Sequence, residues 1–206
     1  MKQKSFIDRA SYELGRVLSL FRFLGPFIKA INSVYYRIYT GYISRCFKSF
    51  GSRVLIAPMR ELKGAKCISI GDGVIIGKNI TMTVWKNDVP GIDIGARTRI
   101  GENAHITCIN HIVIGKDVLT GRNLLITDNA HGNRQEAVSM IPPIKRHLIS
   151  KGEVFIGDGV WMGDNVCILP GVNIGNNSII GANAVVSKDV PAFSVVVGAS
   201  CRIISM

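Results

Sequence analysis

Residues 154–186 read VFIGDG VWMGDN VCILPG VNIGNN SIIGAN AVV, and the spacing of their aliphatic side chains decides the fold. Ile156, Met162, Ile168, Ile174, Ile180 and Val186 recur every six residues, with Gly following at 157, 163, 175 and 181. A second set, Val160, Val166, Val172, Ser178, Ala184 and Val190, trails four positions behind. Six residues advance an α-helix by about 600°, so a helix scatters such positions over its surface. Short strands keep them together. Side chains alternate along a strand, so the first and fifth members of each hexad point the same way, and a bend after each hexad turns the chain by about 120°. Three hexads close one triangular coil of about 18 residues.

The same frame extends upstream through Ile70, Ile76 and Met82, through Ile94, Ile100 and Ile106, and through Ile114, Thr120 and Ile126. The expected architecture is therefore mainly β: a parallel β-helix of about five coils over residues 54–206. Glycines suit its corners and tight backbone approaches. Two interruptions stand out. Two extra residues separate Ile106 from Ile114, near 110–113. A stretch of about 132–153 shows no hexads but holds Pro142, Pro143, Arg134, Lys145, Arg146 and Lys151. Long loops in regular solenoids tend to carry function.

Charge divides the chain differently. The net charge is +11, yet residues 1–53 hold ten Lys or Arg against Asp8 and Glu13, which leaves +3 for the rest. Glycine runs the other way, with 17 of 22 at or after Gly71. In residues 6–49, Phe6, Leu14, Val17, Leu18, Phe21 and Leu24, then Phe27, Ile28, Ile31, Val34 and Ile38, fall at helical spacing. Two amphipathic helices broken at Gly25-Pro26 are expected over 1–53, with Arg9, Arg16, Arg22, Lys29, Arg37, Arg45 and Lys48 on their polar faces. Two roles are open: a packed cap with solvated cations, or peripheral attraction to an anionic membrane or a lipid-linked, phosphate-bearing substrate. The composition excludes a disordered or collagen-like chain, and no nucleic-acid module is found. No secretory signal pattern or spanning segment is read, and five scattered cysteines without a Cys-x-x-Cys pair suit a reducing cytosol.

The run Ile126-Thr-Asp-Asn-Ala-His-Gly132, the hexads from 154, Ile168-Leu-Pro-Gly171, Val185-Val-Ser-Lys-Asp-Val-Pro191 and Gly198-Ala-Ser-Cys-Arg-Ile-Ile204 resemble the hexapeptide-repeat acyltransferases. The resemblance spans about 68–206 and is closest to the sugar and polysaccharide O-acetyltransferases. It implies a left-handed β-helix, a homotrimer, and acetyl transfer from acetyl-CoA to a sugar or lipid-linked glycan hydroxyl in cell-surface polysaccharide biosynthesis. An amino-sugar, antibiotic or serine acceptor is the enzymatic alternative. A non-catalytic scaffold is the other.

His131 follows an inward position at the mouth of the long loop, so alternation turns its imidazole outward. A neutral imidazole can take the hydroxyl proton near neutral pH, and the resemblance gives the matching His this role. Asp128 is grouped with the acceptor-side residues and read either as orienting His131 or as a solvated corner. Counting back 20 residues, less the two inserted, stacks His111 under His131, and places Asn110 and His111 at the acceptor end or at a structural corner. His105 is expected on another face, and the three histidines lack zinc spacing, so no metal is expected.

For acetyl-CoA, the resemblance implies contacts at Gly163 or Asp164, at Ala182, at Ser187-Lys188 and at Arg202. It also places Trp161 near the thioester, with a subunit interface as the alternative. A cytoplasmic protein, at the inner face of a membrane where the helices bind it, completes the expectation.

Overall fold

The computed structural model describes residues 2–19, 24–133, 135 and 140–205. Phe21, Arg22 and Arg134 lie outside them. The chain forms two compact units, residues 1–38 and residues 39–206.

Helix α1 spans Lys2–Ser19 and α2 spans Leu24–Ser44. The expected break at Gly25-Pro26 moves upstream: both residues sit in the first turn of α2, where proline's missing N–H costs nothing. On α2, Phe27, Ile28, Ile31, Val34, Tyr35 and Ile38 are each half exposed or more. At about 100° per residue they form one stripe about 120° wide. The last turns of α2 belong to the solenoid unit. Ile43 and Phe47 are buried, Thr40 Oγ1 accepts from the Ile56 N–H (2.9 Å), and Tyr39 Oη accepts from the Met59 N–H (3.2 Å).

Residues 49–197 wind into a parallel β-solenoid of about seven turns with three sheets. The first sheet holds Ser49–Phe50, Ile68–Ile70, Gly91–Ile94, His111–Ile114, Val154–Ile156 and Asn173–Ile174. The second runs from Leu55–Ile56 to Ser194–Val197, closed by the antiparallel strand Arg202–Ser205. The third stacks Glu61–Lys63, Thr81–Val84, His105–Cys108, Leu125–Thr127, Cys167–Ile168 and Val185–Val186. Five coils were expected; the extra turns come from both ends. Ser49–Lys63 forms a coil ahead of Ile70, starting inside the segment expected to be helical, because Phe50, Ile56 and Leu62 keep the hexad spacing with bulkier side chains. Both aliphatic sets fill the interior: Ile76, Ile106, Ile126, Ile156, Val160 and Ile174 are all at most 1% exposed.

Coil lengths vary, but only at one corner. Ser69 to Ile75, Asp93 to Arg99 and Val113 to Leu119, equivalent positions on the first and second sheets, lie six residues apart, and so do second-to-third pairs such as Arg99 to His105. From the third sheet to the next coil's first sheet the spacing is 8 (Glu61 to Ser69), 12 (Thr81 to Asp93), 8 (His105 to Val113), 30 (Leu125 to Phe155) and 6 (Cys167 to Asn173). All extra residues leave the solenoid at this third corner.

Both regular corners take left-handed backbone, the first through a mixed set, Arg53, Gly73, Arg97, Asp117, Gly159 and Asn177. Left-handed backbone at the second corner is taken by Asn79, Asn103, Asn123, Asn165 and Asn183, whose amides form a hydrogen-bonded ladder along the axis (2.9–3.4 Å). Asn tolerates that conformation better than other non-glycine residues. The glycines of the repeat serve close approach instead. A Cβ on Gly95 would stand 2.5 Å from the Gly115 carbonyl carbon. Gly95→Ala is expected to lower stability by about 1–3 kcal/mol, whereas Gly15→Ala, with nothing within 4 Å, should not. Thermal unfolding of both variants checks this.

Candidate functional site

The outer face of the third sheet floors a cavity of about 550 Å³, lined by Trp85, His105, Thr107, Leu125, Thr127, Asn129, Ala130, His131, Ile144, Arg146 and Leu148. Its floor follows from strand alternation. Register aligns Thr81, His105 and Leu125 in one outward column and Lys63, Thr83, Thr107 and Thr127 in the next. Two departures at the third corner build the walls: one is Trp85, just after Thr81–Val84; the other is the long excursion.

That excursion begins with a buried carboxylate. Asp128 is fully buried, and its oxygens accept from the backbone N–H of Ile109 (2.9 Å) and Asn110 (2.8 Å), from Cys108 Sγ (3.2 Å) and from Asn129 Nδ2 (3.1 Å). This corrects both readings of Asp128: it is neither solvated nor turned to His131, because the preceding coil's turn offers two N–H groups, and its two carboxylate oxygens take one each. The same arrangement accounts for Cys108. Burial foremost, then the Asp128 charge and hydrogen bond, hold its thiol well above the ordinary range, so it stays protonated and donates. Native alkylation mapped by mass spectrometry should label exposed Cys46 and spare buried Cys67, Cys108 and Cys201.

Beyond Asp128, Thr127 Oγ1 accepts from the Asn129 N–H (3.1 Å), and Asn129 Nδ2 donates to the Thr107 carbonyl (3.1 Å). Ala130–His131 then pairs antiparallel with Leu148–Ile149, His131 opposite Leu148, and Gly132 N–H donates to the His147 carbonyl (2.9 Å). His131 is exposed on this two-stranded ribbon, at the cavity wall. On the other wall, Trp85 is half exposed, donates Nε1–H to Thr107 Oγ1 (3.1 Å) and carries Lys63 Nζ 3.6 Å from its ring centroid. Arg146, on the excursion, donates Nε–H to the Ile141 carbonyl (2.8 Å).

The stacking of His111 under His131 is absent. The chain leaves the solenoid at Asp128 and returns at Val154, so the register places Glu153 above His111. His111 lies on the first sheet, with Nε2 2.9 Å from Asp93 Oδ2 and Nδ1 3.5 Å from Glu153 Oε2. Burial works against the Asp93 charge, but hydrogen bonds from His111 and Ser69 outweigh it and lower that carboxyl below the usual range. A lowered carboxyl stabilises the fold above the unfolded-state pKa, and that contribution is lost as pH falls through the folded value. Asp93→Asn should flatten the acid limb of the stability profile.

Neither Asn110 nor His111 lines the cavity, whereas His105, expected on another face, does. Sequence reading also missed Trp85. It lies in an extension of six residues, and six keeps the hexad phase. The signal was Asp88, standing where Met82 and Ile94 call for an aliphatic residue.

None of the residues expected for acetyl-CoA lines this cavity. Trp161 sits half exposed on the second sheet between Leu119 and Ile179. Gly163 is pressed on Ala182, and Asp164 Oδ1 accepts from the Arg122 N–H (2.7 Å). Ser187 and Lys188 are exposed beyond the last third-sheet strand, and Arg202 pairs with Val197 on the terminal ribbon. Among the described residues, no group of three His, Cys, Asp or Glu side chains is arranged to hold a metal ion.

The bacterial transferase hexapeptide family (six repeats) matches residues 153–188. WbbJ of Escherichia coli strain K12, named for O-acetyl transfer in lipopolysaccharide biosynthesis, is 34% identical over 141 residues, 66% of this chain and 70% of WbbJ. The galactoside O-acetyltransferase of the same strain is 31% identical over 63% of this chain and 62% of its own length. A maltose O-acetyltransferase from Clostridium difficile 630 superposes with a TM-score of 0.55 at 31% identity, covering 70% of each chain.

Proposed function

Since this chain belongs to the hexapeptide-repeat transferase family, we propose that it moves an acetyl group from acetyl-CoA to a sugar hydroxyl. The observation that carries this reading is an exposed His131 held on a two-stranded ribbon at the wall of a cavity large enough for a sugar unit. His131 takes the proton of the acceptor hydroxyl as its oxygen attacks the thioester carbonyl. The tetrahedral intermediate collapses, the C–S bond breaks, and the proton passes to the departing CoA thiolate.

Trp161, Gly163, Asp164, Ala182, Ser187, Lys188 and Arg202 are the residues we propose for acetyl-CoA. Because they lie apart from the His131 cavity in one chain, donor and base meet across a subunit boundary in a homotrimer. The acceptor side moves from Asn110, His111 and Asp128 to the side chains around His105 and Trp85. Acetyl transfer onto a panel of neutral and charged glycans, read by mass spectrometry, tests the activity; no transfer to any hydroxyl overturns it.

The exposed stripe of α2, flanked by Lys29 and Arg37, supports peripheral attachment to an anionic membrane, consistent with a lipid-linked glycan acceptor on the cytoplasmic side. Among the described residues no helix is long and apolar enough to cross a membrane. Removing residues 1–38, which spares the Ile43 and Phe47 cap, should abolish co-sedimentation with anionic vesicles at low salt; unchanged binding refutes the attachment.

A further inference from the structure

We infer that the acetylated unit is an acidic sugar, bearing a carboxylate or phosphate that the cavity holds through Arg146 and Lys63. This deepens the acetyltransferase reading and rests on it.

The charge inventory of the cavity is one-sided. Its described lining carries the Arg146 guanidinium and two imidazoles, His105 and His131, with no Asp or Glu among them. Lys63 is not part of the lining, but its ammonium lies 3.6 Å from the centroid of the Trp85 ring, which is. Carboxylates stand around this wall and not in it: Glu61 shares the outward column of Thr81 and His105, Asp88 follows Trp85 by three residues, and Asp128 is fully buried and accepts four hydrogen bonds. Among the described residues, neither Lys63 nor Arg146 forms an ion pair, although exposed Arg97 and Lys78 nearby in sequence space do, with Asp117 and Glu102. A neutral sugar would leave two cations without a counter-charge at a partly enclosed wall, whereas a planar carboxylate or a phosphate suits a guanidinium fork.

Arg146 and the ring beneath Lys63 are each anchored by a hydrogen bond. Arg146 is anchored by its Nε–H on the Ile141 carbonyl, which leaves its terminal nitrogens as the reaching end. The ring under Lys63 is anchored by its Nε1–H on Thr107 Oγ1, on the cavity floor. Fixed donors lose less freedom on binding than loose surface side chains. The two anchors lie on opposite contributions of the third corner, Trp85 from one extension and Arg146 from the other, so the anion is gripped between loops that differ in length from coil to coil.

The test uses the full chain and matched acceptors: a uronic-acid glycoside and a phosphorylated glycoside, each against its neutral counterpart, with acetyl-CoA as donor. The anionic members are expected to show kcat/KM at least about ten-fold above the neutral ones, a ratio that falls with ionic strength. Arg146→Gln should collapse that ratio by about ten-fold and Lys63→Gln by a smaller factor, both through acceptor KM, with the KM for acetyl-CoA unmoved. Arg146→Lys should restore part of the preference, which a loop-positioning role for the Ile141 contact would not. Whether carboxylate or phosphate responds more to Arg146→Gln identifies the anion. Equal rates on charged and neutral acceptors, or a loss confined to the KM for acetyl-CoA, overturn the inference and leave the acetyltransferase standing. Absence of transfer to every acceptor overturns both.

Discussion

His131→Ala is expected to lower kcat by about 10³-fold while acetyl-CoA still binds. The imidazole is exposed on the Ala130–His131 ribbon and carries no packing, so the variant should melt where the wild type does. General-base removal costs about 10²–10⁴ in rate, and the loss should fall on kcat because the base acts only as the hydroxyl proton leaves. His131→Gln, which keeps a hydrogen-bonding end without the basicity, should be equally slow. Calorimetric titration of acetyl-CoA, run beside steady-state kinetics, separates the base from a binding residue. Retention of more than a tenth of the wild-type rate would sink the assignment.

The second large effect is on stability. Asp128→Ala removes the acceptor for two buried backbone N–H groups, those of Ile109 and Asn110, and for Cys108 Sγ. Each buried donor left unpaired costs about 1–3 kcal/mol, so a loss of about 3 kcal/mol is expected, and a fall in Tm of roughly 6–12 °C for a chain of this size. Asp128→Asn should lie between, since its one carbonyl oxygen can serve only one of the two N–H groups well. Activity should fall too, by about ten-fold, because Asp128 and Asn129 fix the point where the His131 ribbon departs. An unchanged melting temperature would mean that the turn at 109–110 finds other partners.

How much of this was legible in the sequence differs by element. The repeat from Ile156 to Val186 spelled out the solenoid, because burial on three inward-facing columns demands an aliphatic residue at fixed spacing and nothing else demands it so strictly. The first coil was legible only as part of the β-helix from residue 54, without its opening strand, because Phe50 stands where an aliphatic residue is expected and eight residues separate Leu62 from Ile70. His131 was legible from its motif and its place before the loop. Its surroundings were not. Placing His111 beneath it assumed that the chain continues around the solenoid after Thr127, and periodicity cannot reveal a departure that starts at a buried Asp. His105 does lie on a different face from His111, but the sequence did not bring it to His131: the cavity lies on the flat of the third sheet, and only the excursion folding back over that sheet makes it a wall. Trp85 sits in an extension whose length equals the repeat and so leaves its phase intact.

Confinement of every irregular length to the third corner gives the scaffold an open port. Cys167-Ile-Leu-Pro-Gly-Val-Asn173 already turns that corner with the regular six-residue spacing, so the chain carries its own blueprint for closing the corner elsewhere. Segments grafted there enter and leave on strands whose register is held by the two regular corners. The protein can therefore trade one acceptor for another by exchanging loops, as an instrument changes its tip, while the asparagine ladder and glycine columns opposite keep the shaft unaltered.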